Sequence, residues 1–506
     1  MSQNRRQFLQ TAASSALCLA ASGSIGRRAW ALGSAPQSPL PHIDATETGA
    51  FEIAAVAGET EFVPGIPSPT LGFNQSYLGP VIRVRPGHEV AATVVNRTGV
   101  PISVHWHGLL VPGDVDGGPH QPIAAGATWR PLLPVAQPPA TLWYHTHLHG
   151  ETASRVYAGL AGVLLVDDGR DAERGLPVTF GVDDLVLVLQ DKRFDAAGQA
   201  VYRPGDADLM HGFLGEVALV NGQSGARFTV PRGIVRLRLV NGANARNFDL
   251  SFSDDRRFAL VATDQGLLPR PLPLTRIRLS PGERVALLVD FAGGDATLVS
   301  TPHVETSGTM QMGGMMHDQL PLPETLTAPF PVAAFTVDWS IAPQVRAIPA
   351  AFDVDDDPLP VPTATRRFVL NDMGMMMGGG GMAGMEGMPG HGGGANAMAF
   401  GINGQPFAMD RLDAQIARGQ TERWIVAGQM MGHPFHIHGV RFRVLSENGG
   451  APRAENTGWK DTVFVEGEVE LLARFDQPAS AGSPFMFHCH ILEHEDLGMM
   501  GQFTVA

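Results

Sequence analysis

The chain has 506 residues, 17% of them charged and 44% hydrophobic, with 60 Gly and 39 Pro. That balance excludes disorder and coiled coil, and the many turn formers point to β structure in roughly three domains of about 150 residues each. A formal net charge of −14 argues against nucleic acid as a partner, and 2 Cys exclude a disulfide scaffold, which leaves 18 His and 20 Met to be explained.

The N-terminus reads as an export signal. Asn4-Arg5-Arg6-Gln7-Phe8-Leu9 is a twin-arginine pattern, Thr11 to Ile25 is a modest apolar stretch, and Ala29-Trp30-Ala31 is a small-x-small cleavage site. At about 15 residues the stretch falls short of the roughly 20 that span a bilayer, so no stable membrane insertion is expected. The bulky Leu17 before Cys18 speaks against a lipoprotein site. Cleavage after Ala31 defines a signal peptide 1–31 and predicts export of the folded chain to the periplasm through the twin-arginine machinery. It removes four Arg and Cys18, leaving 32 basic and 50 acidic residues, a net charge of −18, and Cys489 as the remaining thiol. A monomer is expected.

Three blocks then repeat one plan of strand, glycine turn, strand, turn and strand. The first runs from Val81-Ile82-Arg83-Val84 to His107, the second from Phe228-Thr229-Val230 to Leu250, and the third from Ile416 to His438. This predicts an all-β chain of Greek-key sandwiches, with helical character only around Thr152 to Tyr157. The boundaries are 32–170, 171–345 and 362–506, with a Pro-rich linker at 346–361. A low-complexity insert at 371–398 holds eight Met among many Gly, and a smaller cluster holds Met310, Met312, Met315 and Met316. Glycine at that density predicts a loop rather than a regular element.

His-x-His occurs at His105/His107, His145/His147 (continuing to His149), His436/His438 and His488/His490. Chance placement predicts roughly 0.6 such pairs. Residues i and i+2 of a strand share a face, so each pair aims two imidazoles at one region. A single pair reads as two tolerated surface histidines. Four pairs supply eight nitrogen ligands, too many for one metal and suited to a cluster of about three. Two pairs fall in the first block and two in the third, while the middle block has none. The middle block therefore reads as structural, with the cluster between the other two.

In His488-Cys489-His490 the thiol points away from both flanking imidazoles, so one tripeptide serves two metal sites. His433 lies upstream, and His494 and Met499 lie downstream. Two His, one Cys and a weak Met are the ligand set of a mononuclear blue-copper centre, whereas a zinc site gives Met no role.

At these residues the chain resembles the multicopper oxidases. The motifs are His105-Trp106-His107-Gly108, Trp143-Tyr144-His145-Thr146-His147-Leu148-His149-Gly150, His433-Pro434-Phe435-His436-Ile437-His438-Gly439 and His488-Cys489-His490-Ile491-Leu492-Glu493-His494 continuing to Met499. The resemblance implies three cupredoxin-like domains and four copper ions. A mononuclear copper would take His433, Cys489, His494 and Met499. In a trinuclear cluster, the lone copper would take His105 and His436. Of the coupled pair, one copper would take His107, His145 and His490, and the other His147, His438 and His488. It also implies proton relays at Asp116 and Glu495, although Asp116 equally suits a turn before Gly117-Gly118 and Glu495 a solvated loop. His149 reads as outside the ligand set.

Within the family, the Met-rich insert, the export signal and the run Leu445 to Gly449 before Gly458-Trp459-Lys460-Asp461 resemble bacterial copper-efflux oxidases. Thioethers are soft and select Cu(I), so the expected donor is Cu(I), the acceptor O2 and the role copper tolerance, with extra Cu(I) held in the insert. Met431, Met373 and Asp372 are the candidates for the Cu(I) site, because Gln429 stands where these relatives place an acid. The alternatives are a laccase-like oxidase of phenols and a copper-sequestering protein.

Overall fold

The computed structural model describes residues 38–302, 328–354, 358, 360–370, 400–428 and 431–506. The signal peptide, the Met-rich insert, the Met310 to Met316 cluster, Asp372, Met373 and Gln429 lie outside the described residues. Six sheets pair into three sandwiches, the three cupredoxin-like sandwiches expected from the sequence.

In the first sandwich a four-stranded sheet runs in the order His42–Asp44, Val81–Val84, Ala161–Val166 and Ala140–His145. It faces a sheet built on Ala50–Val63 and His88–Arg97, which pair in parallel. The middle sandwich carries a seven-stranded sheet centred on Ile234–Asn241 and Arg284–Asp290, and the third carries a five-stranded sheet centred on Phe485–Cys489.

Alternation along the strands decides what packs where. In Ala161–Val166, Leu164 and Val166 enter the core of the first sandwich. Ala161, Val163 and Leu165 enter a second core shared with Val186, Val188, Leu219 and Val240 of the middle sandwich. The strand is buried on both faces, which explains its unbroken apolar sequence. Burial of this kind contributes about 25 cal/mol per Å2, so the shared cluster favours docking of the two sandwiches.

Three helices of note are short: α1, Thr152–Ala158; α2, Asp206–His211; and α3, Leu492–Asp496. Only the first was expected. One or two turns are too short to register as 3.6-residue periodicity. α3 turns the chain back directly after His488-Cys489-His490, so His494 returns toward Cys489.

A candidate copper centre

The four His-x-His pairs are not built on continuous strand. His145 ends Ala140–His145, His436 is followed by the last residue of His433–Ile437, and Cys489 ends Phe485–Cys489. His105 makes only an isolated bridge to His145. The second imidazole of each pair thus sits beyond the strand, where the face-sharing rule lapses. The consequence is that the pairs His105/His107, His145/His147 and His488/His490 divide between groups, while His436 and His438 share one. His107, His145 and His490 converge in one, and His147, His438 and His488 in another. His105 and His436 meet with His438. Each group mixes rings from the first and third sandwiches, and all eight imidazoles are buried.

The orientation of these rings is fixed from behind. Nδ1 of His105 donates to the Asp116 carbonyl at 3.0 Å, and Nδ1 of His436 donates to that of Asp461 at 2.8 Å. His145 donates from Nδ1 to the Thr146 carbonyl, and His488 to that of Cys489, both at 2.9 Å. The Asp116 carboxylate accepts from Nδ1 of His438 at 2.7 Å, and Glu495 lies 3.3 Å from Nδ1 of His147 and 3.2 Å from Nδ1 of His488. These contacts leave Nε2 facing inward, the tautomer control that metal-bound histidines need. The carboxylate placement goes beyond the turn and solvated-loop alternatives, since Asp116 and Glu495 are both buried. Gly117 makes the Asp116 turn possible: its φ is +82°, and a Cβ there would come within 1.7 Å of the Val104 carbonyl.

Inside the cluster, donor chemistry fits metal. Nε2 of His105, His436 and His490 is buried with no hydrogen-bond partner. Nε2 of His488 lies 3.2 Å from Nε2 of both His147 and His438. Burial first, and then mutual repulsion, holds His107, His145, His436, His438 and His490 well below the usual imidazole range. His147 is likewise held low by burial, against the pull of Glu495. These rings are therefore neutral at pH 7 and offer lone pairs into a water-poor space, where an uncoordinated nitrogen is costly.

The second site lies within the third sandwich. Cys489 Sγ is 3.5 Å from His433 Nδ1 and 3.7 Å from His494 Nδ1. Met499 is buried in the same core, donates its N–H to the His494 carbonyl at 2.8 Å, and accepts from the Cys489 N–H at 3.0 Å. Burial pushes the Cys489 thiol up, so a metal must displace its proton.

Several contributors escaped the sequence reading. Phe400 stacks on the His494 ring at 4.3 Å, and Trp143 stacks on His145 at 4.2 Å. The Met210 carbonyl at the end of α2 accepts from His494 Nε2 at 3.0 Å. Asp461 was noted only as part of a run, yet its carboxylate accepts from His107 Nε2 at 3.1 Å. Trp143 and Asp461 were visible only as members of their motifs, and Phe400 and Met210 carried no signal beyond residue type. Of the remaining candidates, Met431 packs against the third core. His149 lies against Phe407 at 5.0 Å and belongs to none of these groups. Among the described residues no helix is long and apolar enough to cross a membrane.

Comparison with known proteins agrees with this geometry. Two multicopper oxidase family models match residues 56–171 and 387–506. A laccase-like multi-copper oxidase, CueO from Ochrobactrum sp., is 39% identical, covering 93% of this chain and 100% of its own, with a TM-score of 0.81. McoA from Aquifex aeolicus is 29% identical over 93% of this chain and 99% of its own, with a TM-score of 0.77. The curated relatives bear another name. "Cell division protein FtsP" of Edwardsiella tarda and that of Escherichia coli are each 36% identical, covering 100% of this chain and 99% of theirs.

The expectation of a Cu(I) oxidase serving copper tolerance is corrected by these full-length relatives, which are named for cell division. The physical reason is that a Met-rich composition shows which ion thioethers would favour, not which donor a centre serves. Fold, motif spacing and full-length similarity agree on one point: the chain belongs to the multicopper oxidase family.

Proposed function

We propose that the protein is a copper-dependent oxidoreductase of the periplasm, exported by the twin-arginine route, with dioxygen as electron acceptor. Four copper ions fit the donor sets. His433, Cys489, His494 and Met499 would hold one, and the eight paired histidines would hold three. The observation that supports this most is the convergence of buried imidazole nitrogens without hydrogen-bond partners, from His105, His436 and His490, the last of which follows a buried thiol in sequence. When bound, copper supplies one-electron transfer and the reduction of dioxygen.

The chain's own residues prepare that chemistry. Cys489 faces one site while its two neighbours face the cluster groups, so a few covalent bonds join them. Glu495 and Asp116 sit behind the cluster rings, within hydrogen-bonding distance of their Nδ1 atoms, where a proton can be held close to the reaction. Burial raises Glu495, and the His147 and His488 rings beside it more than offset that, holding it at about 2. Its neighbour Asp496 is shifted the other way, raised well above the usual carboxylate range by burial and by Glu495.

The test is metal analysis with oxygen uptake, using purified, copper-loaded protein and a lignin-model phenol as probe donor. The expected result is about four coppers per chain by the ligand count, an intense blue colour and oxygen consumption. Protein that takes up copper but consumes no oxygen overturns the oxidase.

A second reading rests on the relatives named for cell division, in which the sandwiches act as a scaffold in division. A strain lacking the protein, complemented with Cys489→Ser, separates the two. Restored division by that variant favours the scaffold.

A further inference from the structure

The middle sandwich holds none of the paired histidines, yet one of its turns reaches the cluster. Ser280-Pro281-Gly282-Glu283-Arg284 enters the strand Arg284–Asp290, and Arg284 is fully buried between all three sandwiches. Its guanidinium grips Asp461 with two parallel bonds, Nη1 to Oδ1 and Nη2 to Oδ2, each 2.6 Å. The other donors go to the carbonyls of Thr141 at 3.1 Å, Gly282 at 3.0 Å and Asp264 at 3.0 Å. All five N–H groups are thus used, which fixes the guanidinium plane, and a Lys could not reproduce that fork.

Asp461 in turn meets two ligand histidines. Its carbonyl accepts from His436 Nδ1, and its Oδ1 accepts from His107 Nε2 at 3.1 Å, with the Thr462 hydroxyl donating to the same oxygen at 2.9 Å. Gln265, also from the middle sandwich, donates to Oδ2 at 2.5 Å. His107 consequently differs from the rings described above that are held through Nδ1. With Nε2 occupied by the carboxylate, it turns Nδ1 inward, 3.4 Å from His145 Nε2. The turn makes a second approach at Gly282, whose φ is +84° and where a Cβ would lie 2.8 Å from His490 Cδ2. His107 and His490 fall in the same group.

We propose that Arg284 is a positioning residue for the cluster. It orients Asp461, whose carboxylate selects the His107 tautomer that presents Nδ1 to copper. The middle sandwich is then a third wall of the cluster rather than a spacer. This rests on the copper reading above.

The experiment is chelator competition on copper-loaded protein. It follows cluster copper by paramagnetic resonance and metal content, and the mononuclear site by its blue absorbance. Arg284→Lys keeps the charge and loses the fork. Cluster copper is expected to leave at about ten- to a hundredfold lower chelator concentration than in wild type, with the blue absorbance unchanged. Asp461→Asn keeps the volume and removes the charge facing His107. It gives the same result, and it decides the matter if Arg284→Lys does not fold. Equal retention of cluster copper in the variants and wild type overturns the assignment, as does parallel loss of the blue colour. Wild-type protein that binds no copper overturns the copper reading itself, and the assignment with it.

Discussion

Cys489 and the histidines flanking it are neighbours in sequence, yet the sites they serve depend on different parts of the molecule. His433, Cys489, His494 and Met499 all belong to the third sandwich, and local geometry assembles them. A strand end carries the thiol, α3 returns His494, and Met499 follows it. The eight-histidine cluster has no such local origin. It exists only where the first and third sandwiches dock, with Arg284 and Asp461 closing the third side. The middle sandwich touches both sites differently. At the cluster it supplies a charge-assisted brace. At the Cys489 site it supplies a cover, in which Met210 caps His494 while Tyr202 and the Phe213 N–H hold Glu493 at 3.0 and 3.1 Å. The lesson is that a site built locally tolerates changes between domains, whereas a site built at a domain junction depends on them.

The strongest way to break this contrast is Cys489→Ser. The blue colour and turnover should vanish while cluster copper remains, because no cluster histidine is altered. Loss of all copper, measured by metal analysis, would show that the two sites form one unit.

The next test removes metal and lowers the pH. The buried histidines have folded pKa values well below the unfolded value of 6.5, so the stability they allow is fully present above about 6.5. It is lost as pH falls toward the depressed folded values, because the unfolded chain binds those protons first. Asp264, raised by burial to about 6, acts in the opposite direction, as do Glu493 and Asp496, but the seven histidines outnumber them. The melting temperature of copper-free protein should therefore drop steadily from pH 7 to pH 5. With six of these rings in the cluster and only His494 at the Cys489 site, most of the loss should come from the domain junction. A flat profile would contradict this.

Asp116→Asn sharpens the contrast further. It replaces the acceptor of His438 Nδ1 and should weaken cluster copper by about ten- to a hundredfold in chelator titration, leaving the blue absorbance intact. The smallest effect is expected at the cover. Glu493→Ala removes the partner of Tyr202, Phe213 and Asn244, costing about 1–3 kcal/mol of stability. Hydrogen exchange should rise across 202–214 while copper content and colour persist.

The proposed donor residues were legible in sequence because their spacing is a local property. Four His-x-His pairs, one Cys and a following Met name their chemistry without a fold. The sandwiches were equally legible in repeated turns and alternation. Arg284 and Asp461 were not, because 177 residues separate them and each alone is an ordinary charged residue. α2 and Met210 were invisible for a related reason: the functional atom is a backbone carbonyl, which every residue has. The copper-tolerance role was read from methionine content, and the full-length relatives pointed elsewhere.

By itself, then, the sequence determined the fold class and the family, and it named the side chains proposed to hold copper. The tertiary structure decided which histidines meet, because three of the four pairs diverge where their strands end and every cluster group takes rings from both the first and third sandwiches. It also decided which nitrogen of each ring faces inward. For His438 and His107 that choice is made by the hydrogen bond behind the ring, and its acceptors, Asp116 and Asp461, arrive only when distant segments pack together.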